Sequence, residues 1–95
     1  MRYIVDIDNT ICFQDFPSNY TNSTPIKKRI EKINDLFDKG NEIIYWTARG
    51  AVSGKDWSDL TQKQLEEWNC KYHELWMNKP HYDVWIDDKA DWIFA

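Results

Sequence analysis

Three observations predict a single α/β domain built on a parallel sheet. Short apolar runs at Tyr3-Ile4-Val5, Glu42-Ile43-Ile44-Tyr45-Trp46 and 82–86 have the length and the β-branched or aromatic content of buried strands. Stretches with helical spacing of apolar residues alternate with them, and each run ends in a polar or acidic residue. Strand, helix and strand in succession imply crossovers between parallel neighbours. All the carboxyl ends of such strands share one edge, where ligands of these sheets bind.

Ninety-five residues support one domain near the small end of what can bury a core, and six Trp, five Tyr and four Phe partly offset the small size. The net charge of −4 argues against nonspecific nucleic-acid binding, which depends on neutralising phosphates with Lys and Arg. Cys12 and Cys70 form no Cys-x-x-Cys pattern, so they read as small apolar fillers in a reducing compartment. With no charged leader before a long apolar stretch and no run of eighteen apolar residues, a soluble cytoplasmic protein without a membrane partner is expected.

The first strand runs into Asp6-Ile7-Asp8-Asn9-Thr10. Alternation along an extended chain aims Asp6 and Asp8 to one side, and two carboxylates beside a buried strand need a cation or a hydrogen-bond network. A hard divalent cation such as Mg²⁺ would serve; a plain turn is the alternative. Residues 11–24 read as a hairpin or loop forming a flap over the site, with Phe13, Phe16 or Tyr20 able to brush a substrate or merely cover the sheet edge.

Thr24 as cap, Pro25 at the first helical position and Gly40 as a left-handed stop bound an amphipathic helix that buries Ile26, Ile30, Ile33, Leu36 and Phe37. The second strand, 42–46, leads to Thr47-Ala48-Arg49-Gly50, which emerges at the same edge as Asp6. Residues 50–60 are loop-like, and Thr61 with Gln64 matches a capping box opening a short helix that buries Leu65 and Trp68. Lys71–Met77 is expected as a peripheral third strand and Asn78-Lys79-Pro80 as a loop. The run 82–86 is expected as a last strand beside the first, ending in Asp87-Asp88. The expected order is fourth, first, second, third, with the first strand central. The tail Asp91-Trp92-Ile93-Phe94 is expected as a short helical or extended cover for the core.

These motifs, in this order, resemble the haloacid dehalogenase superfamily of phosphohydrolases, whose four motifs match Asp6-Ile7-Asp8-Asn9-Thr10, Thr47, Lys79 and Asp87-Asp88. The stretches Trp46-Thr47-Ala48-Arg49-Gly50, Lys71-Tyr72-His73-Glu74-Leu75 and Ile86-Asp87-Asp88-Lys89-Ala90 are similar to small capless members associated with capsule or surface-polysaccharide biosynthesis. The resemblance implies a Rossmann-like sheet flanked by helices and a Mg²⁺-dependent phosphomonoester hydrolase. Asp6 would be the nucleophile forming an aspartyl-phosphate, and Asp8 the acid and base. It further implies metal held by Asp6, Asp8 through its backbone carbonyl, and Asp87, with Asp88 on metal-bound water or orienting Lys79. Thr47 and Lys79 would act on the phosphoryl oxygens, with Thr10 and the Ala48 region lining the substrate site.

Arg49 is a candidate substrate contact, a structural salt bridge being the alternative. Asn9 stands where relatives frequently carry Gly, a substitution that Asn's tolerance of left-handed backbone permits. The gaps between motifs are too short for a cap domain. An open site implies a large substrate, loose specificity or cover from a second copy of the chain, which exposed Trp57, Trp76 or Trp92 would favour. The implied substrate is a phosphorylated small molecule such as a sugar phosphate. The alternatives are a phosphatase acting on a phosphorylated polymer and a phosphoacceptor or binding domain without turnover.

Overall fold

A computed structural model of the chain describes residues 1–14 and 20–89. The elements are β1 (Arg2–Val5), β2 (Cys12–Phe13), β3 (Thr24–Pro25), α1 (Lys27–Asp38), β4 (Glu42–Trp46), α2 (Ser58–Glu67) and β5 (Glu74–Trp76). β1, β4 and β5 form a parallel sheet in that order, with Ile4 opposite Ile44 and Tyr45 opposite Leu75. α1 connects β1 to β4 and α2 connects β4 to β5, which is the predicted alternation. The central strand is accordingly β4, where Ile43, Ile44 and Tyr45 are fully buried. Ile7, Ile11, Ile30 and Leu65 complete the core, with Ile33, Leu36, Phe37 and Trp68 packed against it.

The run 82–86 forms no strand, and Tyr82, Val84, Trp85 and Ile86 are exposed. This corrects the expected four-stranded order. β1 is an edge rather than the centre among the described residues, and Ile4 is 45% exposed where burial on both faces was expected. The two faces of a strand are buried by the layers packed on the sheet, most completely at its centre, and β1 lies at the edge with β4 as its neighbour among the described residues.

Two helix starts also differ from expectation. Thr24 and Pro25 pair antiparallel with Phe13 and Cys12, so Thr24 caps nothing and Ile26 is the residue before α1. The Ile26 N–H donates to Ile11 O at 2.8 Å, which ties the helix entry to the hairpin. Pro25 fits such a two-stranded ribbon because a strand at a sheet edge tolerates a residue without an N–H. α2 begins at Ser58, three residues before Thr61, and the carboxylate of Asp56 accepts the Ser58 N–H at 2.9 Å. The Ser58 hydroxyl, which donates to the same carboxylate at 2.6 Å, and then this N–H hold the Asp56 carboxyl below its ordinary range.

Both helices end alike. Gly40 (φ +91°) donates to Phe37 O and Asn41 to Leu36 O, while Asn69 (φ +57°) donates to Glu66 O and Cys70 to Leu65 O. Each is a Schellman closure, with a left-handed residue satisfying the last carbonyls. Asn takes the place of Gly in the second, as its short polar side chain permits.

The middle of the flap, with Phe16 and Pro17, and the tail with Trp92 lie outside the described residues. Trp57 and Trp76 are half-buried rather than exposed. Among the described residues, no helix is long and apolar enough to cross a membrane.

Candidate active site

The carboxyl end of β1 is shaped by a tight turn. Thr10 and Ile11 N–H groups donate to Ile7 O at 3.1 and 2.9 Å, and the Asn9 N–H donates to Cys12 O at 2.8 Å. Asn9 takes φ +61°, the left-handed conformation anticipated for it. Ile7 is fully buried in the core, and Asp6 and Asp8 on either side of it both line one crevice of about 480 Å³. Alternation therefore places the two carboxylates together, as expected. Ala48 and Arg49 from the end of β4, Gln14 and Tyr20 from the flap segment, and His81 also line that crevice.

Lys79 reaches the site by a specific route. Its N–H donates to Thr47 O at 2.9 Å, while the Thr47 N–H donates to Trp76 O at 3.0 Å. The loop after β5 is thereby stitched to the end of β4. The Lys79 Nζ lies 3.5 Å from Asp6 Oδ1 and 5.2 Å from the Tyr82 ring centroid. Thr10 Oγ1 donates to the other Asp6 oxygen over 3.4 Å, and the Asp6 side chain remains 38% exposed.

Asp8 sits in a different environment. Arg49, 2% exposed, donates from Nε to Asp8 Oδ2 at 3.0 Å and from Nη2 to Asp8 Oδ1 at 2.9 Å. Its Nη1 donates to Thr61 Oγ1 at 3.2 Å and to Gln64 Oε1 at 2.6 Å. Its guanidinium carbon lies 4.7 Å from the centroid of the Tyr20 ring. Buried charge needs this degree of satisfaction, and a planar fork matched to a carboxylate supplies it. Arg49 is thus a structural ion pair, the alternative considered for it, rather than a side chain free to meet substrate.

Thr47 is buried, and its hydroxyl oxygen accepts the Arg49 N–H at 3.2 Å, so it shapes the turn that aims Arg49 at Asp8. Gly50, which follows, is demanded by the turn: its φ is +82°, and a Cβ there would lie 2.1 Å from Lys55 O. Cys12 packs behind Asp8, with Sγ 3.6 Å from Asp8 Oδ1. Burial first, and the Asp8 charge second, push the Cys12 thiol up to about 12. The same two causes raise the Tyr20 phenol above its ordinary value.

The Asp87 carboxylate accepts the Trp85 Nε1–H and the Lys89 N–H, both at 2.8 Å, and Asp88 is an exposed partner of Lys89. Among the described residues, no three His, Cys, Asp or Glu side chains gather in a way that could hold a metal ion. Asp6, Asp8, Asp87 and Asp88 form no such cluster of three side chains among the described residues.

Thr61 and Gln64 are the site residues that sequence reasoning missed, because Thr-x-x-Gln was read as a helix start. Both are buried within α2, where the Thr61 hydroxyl also donates to Trp57 O at 2.7 Å. A usable signal existed: Thr61, Gln64, Leu65 and Trp68 fall on one helical face, so two polar side chains lie on the inward stripe and require a buried partner.

No protein-family model matches the chain, and no curated protein matches it either. A crystal structure of an MCSG target from Vibrio cholerae is similar to it at 28% identity and a TM-score of 0.80, covering 94% of this chain and 80% of that one.

Proposed function

We propose that this chain is a phosphomonoester hydrolase of the haloacid dehalogenase type that passes its phosphoryl group through Asp6. The observation that carries the proposal is the meeting of Asp6 and Asp8 in one crevice at the carboxyl edge of a parallel sheet, with Lys79 on the first and Arg49 on the second. Asp6 is the partly exposed carboxylate of the pair and suits attack on phosphorus. The P–O bond to the leaving group breaks as the Asp6–P bond forms, and Asp8 gives a proton to the departing oxygen. Asp8 then takes a proton from the water that cleaves the aspartyl-phosphate.

Lys79, poised at Asp6, neutralises charge spread over the phosphoryl oxygens, and the Ala48 turn after β4 faces the same space. Mg²⁺, if bound, would be held at this edge by the Asp6 carboxylate and the Asp8 carbonyl and would neutralise charge on the phosphoryl group. A crevice of about 480 Å³, lined at its rim by Gln14, Ser53 and His81, suits a compact hydroxylated leaving group, and a sugar phosphate fits that description.

The test is turnover across a panel of phosphometabolites, with Mg²⁺ and with chelator, for the parent protein beside Asp6→Asn. Phosphate release that falls at least about 10³-fold in the variant supports Asp6 as nucleophile. Equal turnover in parent and variant would sink the assignment, and turnover indifferent to chelator would remove the metal from it.

A further inference from the structure

We infer that Gln64 and Thr61 on α2 are positioning residues that act through Arg49 to fix the Asp8 carboxylate in the crevice, an inference resting on the phosphohydrolase reading for its catalytic meaning. A guanidinium carries five N–H donors, and four are placed here: two on Asp8, one on Thr61 and one on Gln64. Two bonds to Asp8 alone would leave the Arg49 side chain free to swing about its long stem. The bonds from Nη1 to α2 remove that freedom, so the plane that presents Nε and Nη2 to Asp8 is set by a helix rather than by a loop.

Gln64 does a second thing with its other end. Its Nε2 donates to Tyr20 O at 2.6 Å, and the Tyr20 ring lies against both the Arg49 guanidinium and the Trp57 ring. One amide thus grips Arg49 with its oxygen and the flap segment with its nitrogen. None of these atoms needs to touch a substrate, and Thr61 and Gln64 are 0% and 5% exposed. The two bonds that Thr61 Oγ1 and Gln64 Oε1 accept from Nη1 therefore converge on Asp8 through a single side chain.

A carboxylate that must protonate a leaving oxygen matters more for an alkyl phosphate than for p-nitrophenyl phosphate, whose leaving group departs unaided. The readout is the ratio of kcat/KM on glycerol phosphate to kcat/KM on p-nitrophenyl phosphate, with Asp8→Asn setting the full scale. Loss of an outer partner commonly costs about 10–100-fold, so Gln64→Leu should lower the ratio about tenfold through kcat, with KM little changed. Gln64→Glu keeps an acceptor for Nη1 but loses the donor to Tyr20 O, and should restore the ratio. Equal loss on both substrates, or a change confined to KM, would overturn the positioning role.

A second measurement does not depend on turnover. The Arg49 Nε–H resonance, assigned by its disappearance in Arg49→Lys, should exchange slowly with solvent in the parent. Exchange should be at least about tenfold faster in Gln64→Leu and slow again in Gln64→Glu, since protection follows the local opening of the contact. Unchanged exchange in Gln64→Leu would overturn the inference whatever the protein hydrolyses. If Asp6→Asn instead hydrolyses both esters like the parent, the Asp6 nucleophile assignment falls; if the parent hydrolyses neither ester, the phosphohydrolase reading falls, and the exchange result alone decides whether α2 holds Arg49 on Asp8.

Discussion

The two carboxylates of the crevice stand two residues apart and are held in opposite ways. Asp6 keeps 38% of its side chain exposed and meets a lysine at 3.5 Å; Asp8 keeps 17% and is gripped by a fully buried guanidinium through two bonds of 2.9 and 3.0 Å. A lysine is a point charge on a flexible stem and can follow a group that moves or gains a phosphoryl, whereas a bidentate arginine imposes one orientation. The difference fits a division of labour. On the proposed chemistry, the side chain that would form and break a bond is left accessible, and the side chain that would only exchange a proton is held in one orientation.

The largest expected effect separates the two pairs by stability. Arg49→Met removes one member of a buried pair and should destabilise the fold by about 3 kcal/mol, read as a shifted denaturant midpoint. Lys79→Met breaks a partly exposed pair and should change stability by less than about 1 kcal/mol while lowering turnover. Equal destabilisation by both would erase the contrast. Next in size, Gly50→Ala puts a Cβ 2.1 Å from the Lys55 carbonyl in a left-handed turn, and should cost about 1–3 kcal/mol. A loss near zero would mean that the turn aiming Arg49 at Asp8 relaxes freely.

The cysteines sharpen the same contrast through pH. Cys12 lies behind the locked carboxylate, and burial pushes the Cys12 and Cys70 thiols up to about 12 and about 11 from an ordinary value of 9.0. Both folded values lie above the unfolded one, so the folded state keeps protons that the unfolded chain releases. The associated stability is whole below about pH 9 and is lost as pH rises from there towards 11 and 12. Slow alkylation of both thiols at pH 8 in the folded protein, becoming fast on unfolding, is the expected chemical result; rapid alkylation of Cys12 would show that the space behind Asp8 is open.

The smallest expected effect belongs to Tyr45. Among the described residues its buried hydroxyl has no partner at ordinary hydrogen-bond geometry, the Cys70 thiol being its weakly bonding polar neighbour. Tyr45→Phe should therefore leave stability unchanged or raise it by up to about 1 kcal/mol.

Local chemistry made much of this molecule legible in advance. β4 occupies the predicted residues, α1 carries its apolar face on Ile30, Ile33, Leu36 and Phe37, and Gly40 and Asn9 take the left-handed conformations assigned to them. These features depend on side-chain periodicity or on the backbone freedom of one residue, both of which a sequence displays directly. Asp6 and Asp8 share an edge with the loop that brings Lys79 to Asp6 because a parallel sheet brings its strand ends to one edge wherever the strands lie in the chain, while Thr47 at the end of β4 is buried.

Tertiary structure decided which of several competent partners each polar side chain takes. Thr24 could cap a helix or pair in a ribbon, and it pairs; Thr61 and Gln64 could open a helix or bind a buried cation, and they bind Arg49. Asp87 could sit beside Asp6 or within its own turn, and it accepts from Trp85 and Lys89. Hydrogen-bonding capacity is written in the residue type. The choice among partners depends on which groups packing brings within 3 Å, and Asp8 and Arg49 meet across 41 positions only because β1 and β4 are neighbours in the sheet.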